Sequence, residues 1–430
     1  MAHVRIASTK ALQGSLRVPG DKSIAHRALI CGALANGWTR IAGVPRSADV
    51  SATIRALNTC GVQTQRNDDA VVVHGAGPDA WLASGNTIDC ANSGTTMRLL
   101  MGVLASQPGR VRLTGDISLS RRPMRRIAEP LRGMGARVTL SEGGVAPVEI
   151  EGARELRAIA YELPLPSAQV KTALLLAGLR ADGETVLRGR VDSRDHTERM
   201  LPRFGAALDV RGGAIALQGG RRMRGVFLDI PGDPSSAAFW LAAALLTPES
   251  RIELRGVGVN PTRTGFIDVL RRMGGAIETR VQRSEPEPSG TVVVESSRLR
   301  GITITGRDVP MLIDELPLLA VLATQAEGTT VVRDASELRV KESDRIEAVA
   351  AMLRAMGAKV DTFEDGFTIA GPQQLRGAIV ESHGDHRIAM AAAIAALAAS
   401  GETEIRGAEC VGVSYPAFFS TLSSLGGCVQ

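Results

Sequence analysis

Short polar segments with hydroxyl, amide, carboxylate or cationic side chains, five of which contain Lys or Arg, recur along this chain of 430 residues. Most of them precede a helical pattern, so their side chains fall at the start of a predicted helix. Ser, Asp and Asn at such positions can simply be N-caps, which accept hydrogen bonds from the first backbone amides of a helix. The segments are Asp21-Lys22-Ser23, Asn92-Ser93-Gly94-Thr95, Arg122-Pro123-Met124, Ser167-Ala168-Gln169, Ser193-Arg194, Asp233-Pro234-Ser235, Asp314-Glu315, Lys341-Glu342-Ser343-Asp344-Arg345 and Asp385-His386-Arg387.

Capping does not explain the cations in these segments. A helix N-terminus already carries partial positive charge, which a Lys or Arg side chain opposes. Backbone N–H groups, hydroxyls and cations gathered at one helix end instead form an anion site. We therefore predict that several phosphates or carboxylates bind at these helix starts, in an electropositive cleft if two domains direct them toward each other. The cations are Lys22, Arg122, Arg194, Lys341, Arg345 and Arg387.

A phrase of the form Leu-x-x-apolar-Gly-small divides the chain into similar units. It occurs six times, with its glycines 69 to 83 residues apart. Gly at this position is typical of the left-handed residue that ends a helix, and an alternating strand pattern follows it. A unit of about 70 residues, repeated along the chain, indicates two domains of three units each. The glycines are Gly61, Gly135, Gly205, Gly274, Gly357 and Gly426.

A second, more apolar helix precedes the phrase in every unit. These helices are rich in Ala, Leu and Gly on every face, which is typical of helices buried inside a domain. The helices that end in the phrase carry Arg, Glu and Ser on one face and should face solvent. We predict closed α/β domains with the apolar helices in the middle and the sheets outside. The apolar helices are predicted over 23–35, 95–105, 170–179, 235–246, 315–326 and 387–399.

Composition narrows the range of partners. The net charge is +5, yet aromatic residues make up only 3% and no dense basic run occurs, which favours small anions over nucleic acid. The five cysteines include no CxxC pair, which indicates a reducing, cytoplasmic location. The most apolar run, 388–399, is too short to span a membrane. His383 and His386 could ligate a metal, but no partner with metal-site spacing accompanies them.

Taken together, the polar segments resemble those of the 5-enolpyruvylshikimate-3-phosphate (EPSP) synthase family. The resemblance spans nearly the whole chain in the family's order, and seven ordered motifs make it specific. The motifs are Asp21-Lys22-Ser23-x-x-x-Arg27, Asn92-x-Gly94-Thr95, Arg122-Pro123-Met124, Ser167-Ala168-Gln169, Asp314-Glu315, Lys341-Glu342-Ser343-Asp344-Arg345 and Asp385-His386-Arg387-x-Ala389-Met390.

The resemblance implies an α/β fold of two inside-out domains, each built from three βαβαββ units and joined by a double crossover. In this family the amino-terminal strands belong with the carboxy-terminal domain. The implied lobes are therefore 20–231 and 1–19 with 232–430, and they would close on substrate like jaws.

The resemblance also implies a reaction. Enzymes of this family transfer the enolpyruvyl group of phosphoenolpyruvate to the 5-hydroxyl of shikimate 3-phosphate and release phosphate, through a tetrahedral intermediate, in the biosynthesis of chorismate and aromatic amino acids. The chemistry needs an acid and a base held against two anions, but no metal or organic cofactor. The implied partners are the two substrates and the inhibitor glyphosate, and we expect a monomer.

The resemblance assigns roles to particular residues. Asp314 would accept the proton of the attacking hydroxyl, and Lys22 with Glu342 would handle the proton at C3 of the enol. The implied ligands of shikimate 3-phosphate are Lys22, Ser23, Arg27, Ser167, Ala168, Gln169, Ser193, Arg194, Asp314 and Lys341. The implied ligands of phosphoenolpyruvate are Lys22, Asn92, Gly94, Arg122, Gln169, Arg345 and Arg387.

Two residues depart from the family pattern. Ala168 stands where many members carry a second Ser, and Val413 stands where others have Lys. Both departures make the chain similar to the divergent second class of the family. Gly94 lacks the methyl group that narrows the glyphosate site in some members, so the resemblance implies sensitivity to glyphosate.

Three alternatives have their own sequence marks. The related UDP-N-acetylglucosamine enolpyruvyl transferases share the fold but use a loop Cys as acid, whereas no Cys lies between Cys90 and Cys410 here. A phosphate cyclase acting on RNA ends would carry a nucleotide-linked His motif, which is absent. A non-catalytic anion-binding relative would have lost Asp314, Glu342 or Lys22, and all three are present.

Overall fold

Strands fill most of the intervals between the helices in this computed structural model, which describes residues 3–77, 81 and 85–430. The strands are β1 His3–Ala7, β2 Gln13–Leu16, β3 Asn36–Ala42, β4 Gln63–Asn67, β5 Ala70–Ala76, β6 Thr87–Asp89, β7 Gly109–Thr114, β8 Arg137–Ser141, β9 Val145–Gly152, β10 Leu156–Arg157, β11 Ala160–Leu163, β12 Ala181–Asp182, β13 Glu184–Gly189, β14 Ala207–Arg211, β15 Ala214–Gln218, β16 Phe227–Asp229, β17 Arg251–Gly258, β18 Ala276–Arg283, β19 Ser289–Glu295, β20 Thr303–Ile304, β21 Gly328–Val332, β22 Asp361–Phe363, β23 Gly366–Gly371, β24 Leu375–Arg376, β25 Ile379–Glu381, β26 Ala399–Ser400, β27 Glu402–Arg406 and β28 Cys428–Val429.

Six four-stranded sheets share one pairing pattern. In each, one outer strand runs parallel to its neighbour, as β6 does to β7, and the other two pairings are antiparallel, as in β7–β9 and β8–β9. This repetition confirms the prediction of six similar units in an α/β fold. The sheet orders are β16-β3-β5-β4, β6-β7-β9-β8, β11-β13-β15-β14, β18-β19-β17-β2, β20-β21-β23-β22 and β25-β27-β1-β28.

Apart from the short helix α9, the helices alternate between an apolar and a more polar type. The α-helices are α1 Lys22–Leu34, α2 Ala48–Thr59, α3 Gly94–Leu104, α4 Arg125–Gly133, α5 Ala168–Gly178, α6 His196–Met200, α7 Pro234–Leu246, α8 Gly265–Arg272, α9 Asp308–Leu312, α10 Leu316–Gln325, α11 Arg345–Ala355, α12 His386–Leu397 and α13 Phe418–Ser424. Short 3-10 turns lie at Leu119–Arg121, Glu142–Gly144, Leu201–Phe204, Ser336–Val340 and Ala408–Val413. Within the described residues, none of the helices combines the length and the hydropathy that a membrane crossing requires.

The chain divides into two compact units, each with its own hydrophobic core. The first unit is 20–230 and the second is 1–19 with 231–430, a boundary one residue earlier than the sequence suggested. Residues 1–19 belong to the second unit because β1 pairs with β27 and β28, and β2 pairs with β17. The six apolar helices, α1, α3, α5, α7, α10 and α12, are buried almost throughout and lie within two residues of their predicted ends.

The repeated Leu-x-x-apolar-Gly-small phrase ends a helix in all six units, as predicted. Each of its glycines has a positive φ, between 82° and 108°. In each copy the residue after the glycine donates its backbone N–H to the carbonyl of the leucine, as Ala136 does to Leu131 at 3.2 Å. This bond is the 6→1 closure of a Schellman motif, which a left-handed residue such as Gly makes possible. The leucine side chains are fully buried, so the phrase joins a helix stop to a core anchor.

Candidate active site

Five of the six apolar helices begin at a residue whose side chain caps them. Asp21 Oδ1, for example, accepts hydrogen bonds from the amides of Ser23 and Ile24 at 2.7 and 3.1 Å. The capping interpretation is therefore confirmed for these oxygens, but it leaves the neighbouring cations unexplained. The other caps are Ser93, Ser167, Asp233 and Asp385.

Lys22, the first residue of α1, lies against a buried carboxylate of the first unit. Its Nζ donates to Asp49 Oδ2 at 2.9 Å, and His26 Nε2 lies 4.0 Å from Asp49 Oδ1. Burial alone would raise the pKa of Asp49, but Lys22, His26 and a hydrogen bond from Ser93 outweigh it and lower that pKa to about 2. Asp49 is therefore ionised at neutral pH and fixes the ammonium of Lys22.

The buried ring of His26 should make the stability of the chain depend on pH. Its Nδ1 is 2.6 Å from Thr53 Oγ1, and burial lowers the pKa of the ring from 6.5 to about 4. Between those values the unfolded chain binds a proton that the folded chain does not. The free energy of unfolding therefore rises with pH, by up to about 1.4 kcal/mol per pH unit. This contribution is complete above pH 6.5 and is lost as the pH falls to about 4.

Urea titrations at several pH values test this expectation. A His26→Gln variant lacks the titrating ring, so its free energy of unfolding should approach that of the unsubstituted chain as the pH falls from 6.5 to 4. Curves for the two proteins that run parallel over this range would contradict the argument.

Arg27 lies inside the first unit with most of its donors bound to protein oxygens. Its Nε donates to Thr197 Oγ1 and its Nη2 to Thr172 Oγ1, both at 2.9 Å, and its Nη1 donates to the Ser23 carbonyl at 2.8 Å. Burial lowers the pKa of Arg27 to about 10, which still leaves it charged at neutral pH. Arg194 Nη1 donates to Ser23 Oγ at 3.3 Å. The structure thus brings Ser23, Arg27 and Arg194 together.

A second pair of guanidinium groups packs around Gly94. Arg122 Nη2 donates to Asn92 Oδ1 at 2.9 Å, and Arg98 Nη1 donates to Gln169 Oε1 at 2.8 Å. A Cβ on Gly94 would lie 2.9 Å from Arg98 Nη1 and 3.4 Å from Arg122 Nη1. The amide of Gly94 donates to the Asn92 carbonyl at 3.1 Å. Asn92, Gly94, Arg122 and Gln169 are therefore neighbours, as their predicted common role requires.

Ser167, Ala168 and Ser193, which the resemblance assigns to shikimate 3-phosphate, differ from one another in their hydrogen bonds. Ser167 Oγ caps α5 by accepting from the Val170 amide at 3.4 Å, and the Ala168 carbonyl accepts from Arg27 Nη2 at 3.4 Å. Ser193 Oγ is buried and makes no hydrogen bond to another described residue. The Ser193 hydroxyl therefore keeps its hydrogen-bonding capacity, although its oxygen is buried, and Ser167 keeps its hydroxyl proton as a donor.

In the second unit one buried guanidinium contacts three carboxylates. Arg345, whose side chain is 1% exposed, begins α11. Its Nε donates to Asp385 Oδ2 at 2.8 Å, its Nη2 donates to Glu342 Oε2 at 2.6 Å, and its Nη1 lies 3.5 Å from Asp314 Oδ1. Burial would lower the pKa of Arg345, but Asp385 and Glu342 raise it above its usual value. The guanidinium in turn lowers the pKa of Asp385, although burial opposes this.

Arg387, at the start of α12, also contacts Asp314. Its Nη1 donates to the Asp314 carbonyl at 2.7 Å, and its Nη2 lies 3.7 Å from Asp314 Oδ2. The same Nη1 lies 3.5 Å from Oε1 of Glu315, a carboxyl whose pKa burial raises above its usual value. The carboxylate of Asp314 therefore faces two guanidinium groups, one toward each of its oxygens.

Lys341 has a different neighbour. Its Nζ lies 3.2 Å from Glu337 Oε1, one turn earlier in the chain. The structure pairs Lys341 with this carboxylate rather than with Asp314 or Glu342, so it does not place Lys341 in the cluster around Arg345.

Sequence reasoning missed Asp49 and Arg98. Arg98 interrupts an otherwise apolar helical pattern, a signal that could have marked it as a buried cation with partners. Asp49 stands in the first turn of the more polar helix α2, where an acidic residue is ordinary, so nothing local marks it. Asp385 belongs to a recognisable motif, but nothing in the sequence marks it as the buried counter-ion of Arg345.

Comparison with known proteins gives consistent results. A family model described as EPSP synthase (3-phosphoshikimate 1-carboxyvinyltransferase) matches residues 6–422. The 3-phosphoshikimate 1-carboxyvinyltransferase of Streptococcus equi subsp. equi is 50% identical over 97% of this chain and 98% of its own length. The structure of EPSP synthase from Acinetobacter baumannii superposes with a TM-score of 0.88 at 41% identity, covering 100% of this chain and 99% of that one.

A more distant structure defines the class to which the fold belongs. The enolpyruvyl transferase NikO from Streptomyces tendae superposes with a TM-score of 0.81 at 20% identity, covering 100% of this chain and 98% of that one, so the fold is that of an enolpyruvyl transferase. Within this class, the family model and the relative at 50% identity identify the particular family. The chain belongs to the EPSP synthase (3-phosphoshikimate 1-carboxyvinyltransferase) family. The resemblance carried by the seven motifs is thereby confirmed, and the UDP-N-acetylglucosamine alternative is not favoured.

Proposed function

We propose that this chain transfers the enolpyruvyl group of phosphoenolpyruvate to the 5-hydroxyl of shikimate 3-phosphate and releases phosphate. As a member of its family it is a transferase of the shikimate pathway. One observation supports the residue assignment most strongly: the Arg345 guanidinium contacts both Asp314 and Glu342, at 3.5 and 2.6 Å. These two carboxylates can supply the base and the acid that the reaction needs.

The reaction consists of an addition and an elimination. As the 5-hydroxyl oxygen bonds to C2 of the enol, its proton passes to a base and C3 accepts a proton, which turns C3 into a methyl group. The tetrahedral intermediate then loses a C3 proton while the bond from C2 to the phosphate oxygen breaks, which restores the double bond. Phosphate leaves with the electron pair of that bond.

We assign the proton transfers to three side chains. Asp314 accepts the proton of the 5-hydroxyl, and Glu342 and Lys22 handle the proton at C3. The side chains of Asp314 and Glu342 are each 19% exposed, so both can meet a substrate, whereas Asp385 on the same guanidinium is inaccessible. Asp49 holds the ammonium of Lys22, and two guanidinium groups orient Asp314.

Shikimate 3-phosphate would be bound mainly by the first unit. Ser23 and Arg27 bind its carboxylate, and the hydroxyls and cations of the 167–169 and 193–194 segments bind its phosphate. The free hydroxyl of Ser193 and the hydrogen bond from Arg194 to Ser23 support this arrangement. The full proposed set is Lys22, Ser23, Arg27, Ser167, Ala168, Gln169, Ser193, Arg194, Asp314 and Lys341.

Phosphoenolpyruvate has two anionic ends, which different residues would bind. We propose that the guanidinium groups of Arg345 and Arg387 bind its carboxylate, since a guanidinium fork matches a planar carboxylate. Their common contact with Asp314 supports a shared ligand. Lys22, Asn92, Gly94, Arg122 and Gln169 would bind the phosphate, and the contacts of Arg122 and Arg98 around Gly94 support this grouping.

Two departures from the family pattern fit this scheme. Ala168 offers no hydroxyl, and we propose that Arg194 compensates with a charge-assisted contact to the phosphate. Val413, at the end of the Ala408–Val413 turn, contributes no cation to the site.

Phosphate release from the purified chain tests the function directly. Phosphate should appear only when phosphoenolpyruvate and shikimate 3-phosphate are both present. Tight binding of shikimate 3-phosphate without phosphate release would instead favour the non-catalytic relative.

Glyphosate should inhibit the chain in competition with phosphoenolpyruvate, and Gly94→Ala should weaken that inhibition. The added methyl would lie 2.9 Å from Arg98 Nη1, and this guanidinium is held by Gln169 and the Pro123 carbonyl. Forcing an extra methyl into a packed site costs about 1–3 kcal/mol, which as a loss of inhibitor binding corresponds to a rise in the inhibition constant of about 5- to 150-fold. Inhibition in the micromolar range that is the same for both proteins would refute the assignment of Gly94.

We also propose a monomer that resides in the cytoplasm. All five cysteines are free, and burial raises the pKa of the thiols of Cys31 and Cys60 to about 12, so these side chains pack as small apolar groups. Free thiols suit a reducing compartment.

A further inference from the structure

A buried ion pair in the first unit has no part in the chemistry described above. Lys171, in the first turn of α5, is fully buried, and its Nζ lies 2.6 Å from Glu198 Oε1. The side chain of Glu198 is 8% exposed, and its Oε2 is buried without a hydrogen bond to another described residue. Burying such a pair costs desolvation energy that the attraction seldom exceeds, so an apolar pair would serve stability as well or better. The pair therefore calls for a reason other than stability.

The remaining donors of Lys171 bind the backbone of the loop 190–195, which connects β13 to α6. Its Nζ donates to the carbonyl of Val191 at 3.1 Å and to that of Ser193 at 3.2 Å. An ammonium has three N–H donors, and Glu198 takes the third. The backbone bonds within this loop span only two residues, from the Val191 amide to Gly189 and from the Ser193 amide to Val191. Lys171 thus ties the loop to α5 and, through Glu198, to α6.

We propose that Lys171 is a positioning residue for shikimate 3-phosphate, because it fixes the loop from which Ser193 and Arg194 reach the 3-phosphate. This inference rests on the proposed function. Lys171 is inaccessible and does not touch the substrate itself. By holding the carbonyls of Val191 and Ser193, Lys171 fixes the positions of the Ser193 hydroxyl and the Arg194 guanidinium. A displacement of about 1 Å in groups that bind a substrate can reduce the rate on the order of 100-fold.

Replacing both members of the pair separates positioning from stability. In Lys171→Met with Glu198→Met neither member of the pair is left as an unpaired charge, but the two carbonyls lose their donors. Buried Arg27 loses the attraction of Glu198 yet keeps its hydrogen bonds to Ser23, Ala168, Thr172 and Thr197, so the chain should still fold. Amide hydrogen exchange measured by mass spectrometry should then become about tenfold faster in the peptide covering 190–195. The dissociation constant of shikimate 3-phosphate should rise at least tenfold, while the KM for phosphoenolpyruvate changes less than threefold.

A matched control uses an exposed pair of the same unit. Arg137 and Glu151 lie 3.6 Å apart with side chains 83% and 54% exposed. Arg137→Met with Glu151→Met removes the same two charges but no buried contact, so loop exchange and shikimate 3-phosphate affinity should stay as in the unsubstituted chain.

Each outcome decides the proposal. Unchanged exchange, or unchanged shikimate 3-phosphate affinity despite faster exchange, would overturn the positioning role.

A second variant, Lys171→Gln with Glu198→Gln, is used if the Met pair does not fold. The amide at position 171 can reach only one of the two carbonyls that Lys171 binds, so at least a threefold loss of shikimate 3-phosphate affinity is expected. Full affinity would overturn the positioning role. If the unsubstituted chain does not bind shikimate 3-phosphate, the proposed function fails, and the exchange comparison still tests whether Lys171 holds the loop.

Discussion

Asp314→Asn should reduce kcat by about 100- to 10,000-fold while leaving shikimate 3-phosphate bound, because a positioned general base contributes this much to a proton transfer. The amide keeps the size of the carboxylate, and its oxygen can accept from one of the two guanidinium groups, while Arg387 keeps its hydrogen bond to the backbone carbonyl of residue 314. The amide cannot accept the proton of the 5-hydroxyl. Calorimetric binding of shikimate 3-phosphate should stay within about threefold of the unsubstituted chain, because the amide can still form a hydrogen bond with the 5-hydroxyl although it cannot take its proton.

Asp308 supplies the control for this experiment. It lies in the helix that precedes Asp314 and forms an exposed ion pair with Arg272 at 2.7 Å. Asp308→Asn removes one carboxylate of the same unit, and an exposed pair contributes about 0–1 kcal/mol. Its kcat should stay within twofold. An Asp314→Asn enzyme that retains a tenth or more of the activity would remove Asp314 from the role of base.

Arg345→Met should destabilise the chain by about 3–5 kcal/mol, because it leaves the buried carboxylate of Asp385 without its counter-ion. Asp385 is fully buried, and the cation that donates to its carboxylate is Arg345, through Nε at 2.8 Å, while Ser343 Oγ and the Arg387 amide donate to it as uncharged groups. A loss of this size is a large part of the stability of a typical protein. The deficit should narrow as the pH falls, since a protonated Asp385 no longer needs a cation. Urea denaturation at neutral and acidic pH measures both effects.

Two comparisons identify the cause of that loss. Arg251→Met breaks an exposed pair with Glu295 at 3.1 Å in the same unit and should cost less than about 1 kcal/mol. Adding Asp385→Asn to Arg345→Met removes the unpaired charge and should restore part of the stability. If the double variant is as unstable as Arg345→Met alone, lost packing rather than an unpaired carboxylate explains the effect.

The fold was predictable because its signals are local. The Leu131–Ala136 copy of the repeated phrase specifies a helix stop through a bond between residues five apart. The apolar helices have apolar residues on every face, which predicts their burial, and α12 with its run of Ala and Ile is an example. Such features depend on neighbours within one or two turns, so a single sequence contains them.

The site was predictable only where a motif carries its residues. Lys22 and Arg345 stand in recognisable motifs, but their partners Asp49 and Asp385 lie 27 and 40 residues away. Arg27 contacts Thr197 across 170 residues. The repeat predicts which helices belong to the same unit. It does not predict which side chains at the starts of those helices contact each other. The motif of Lys341 likewise does not indicate that its side chain pairs with Glu337, and its role as a ligand stays a prediction.

Turnover in D₂O tests the central claim most directly. In the proposed mechanism C3 of phosphoenolpyruvate accepts a solvent-derived proton, becomes a methyl group and then loses one of three hydrogens. The enolpyruvyl methylene of the product, and that of recovered phosphoenolpyruvate, should therefore acquire deuterium as phosphate is released, and mass spectrometry of both species measures this. Phosphate release with a deuterium-free methylene in the product would contradict an addition and elimination catalysed by Asp314, Glu342 and Lys22.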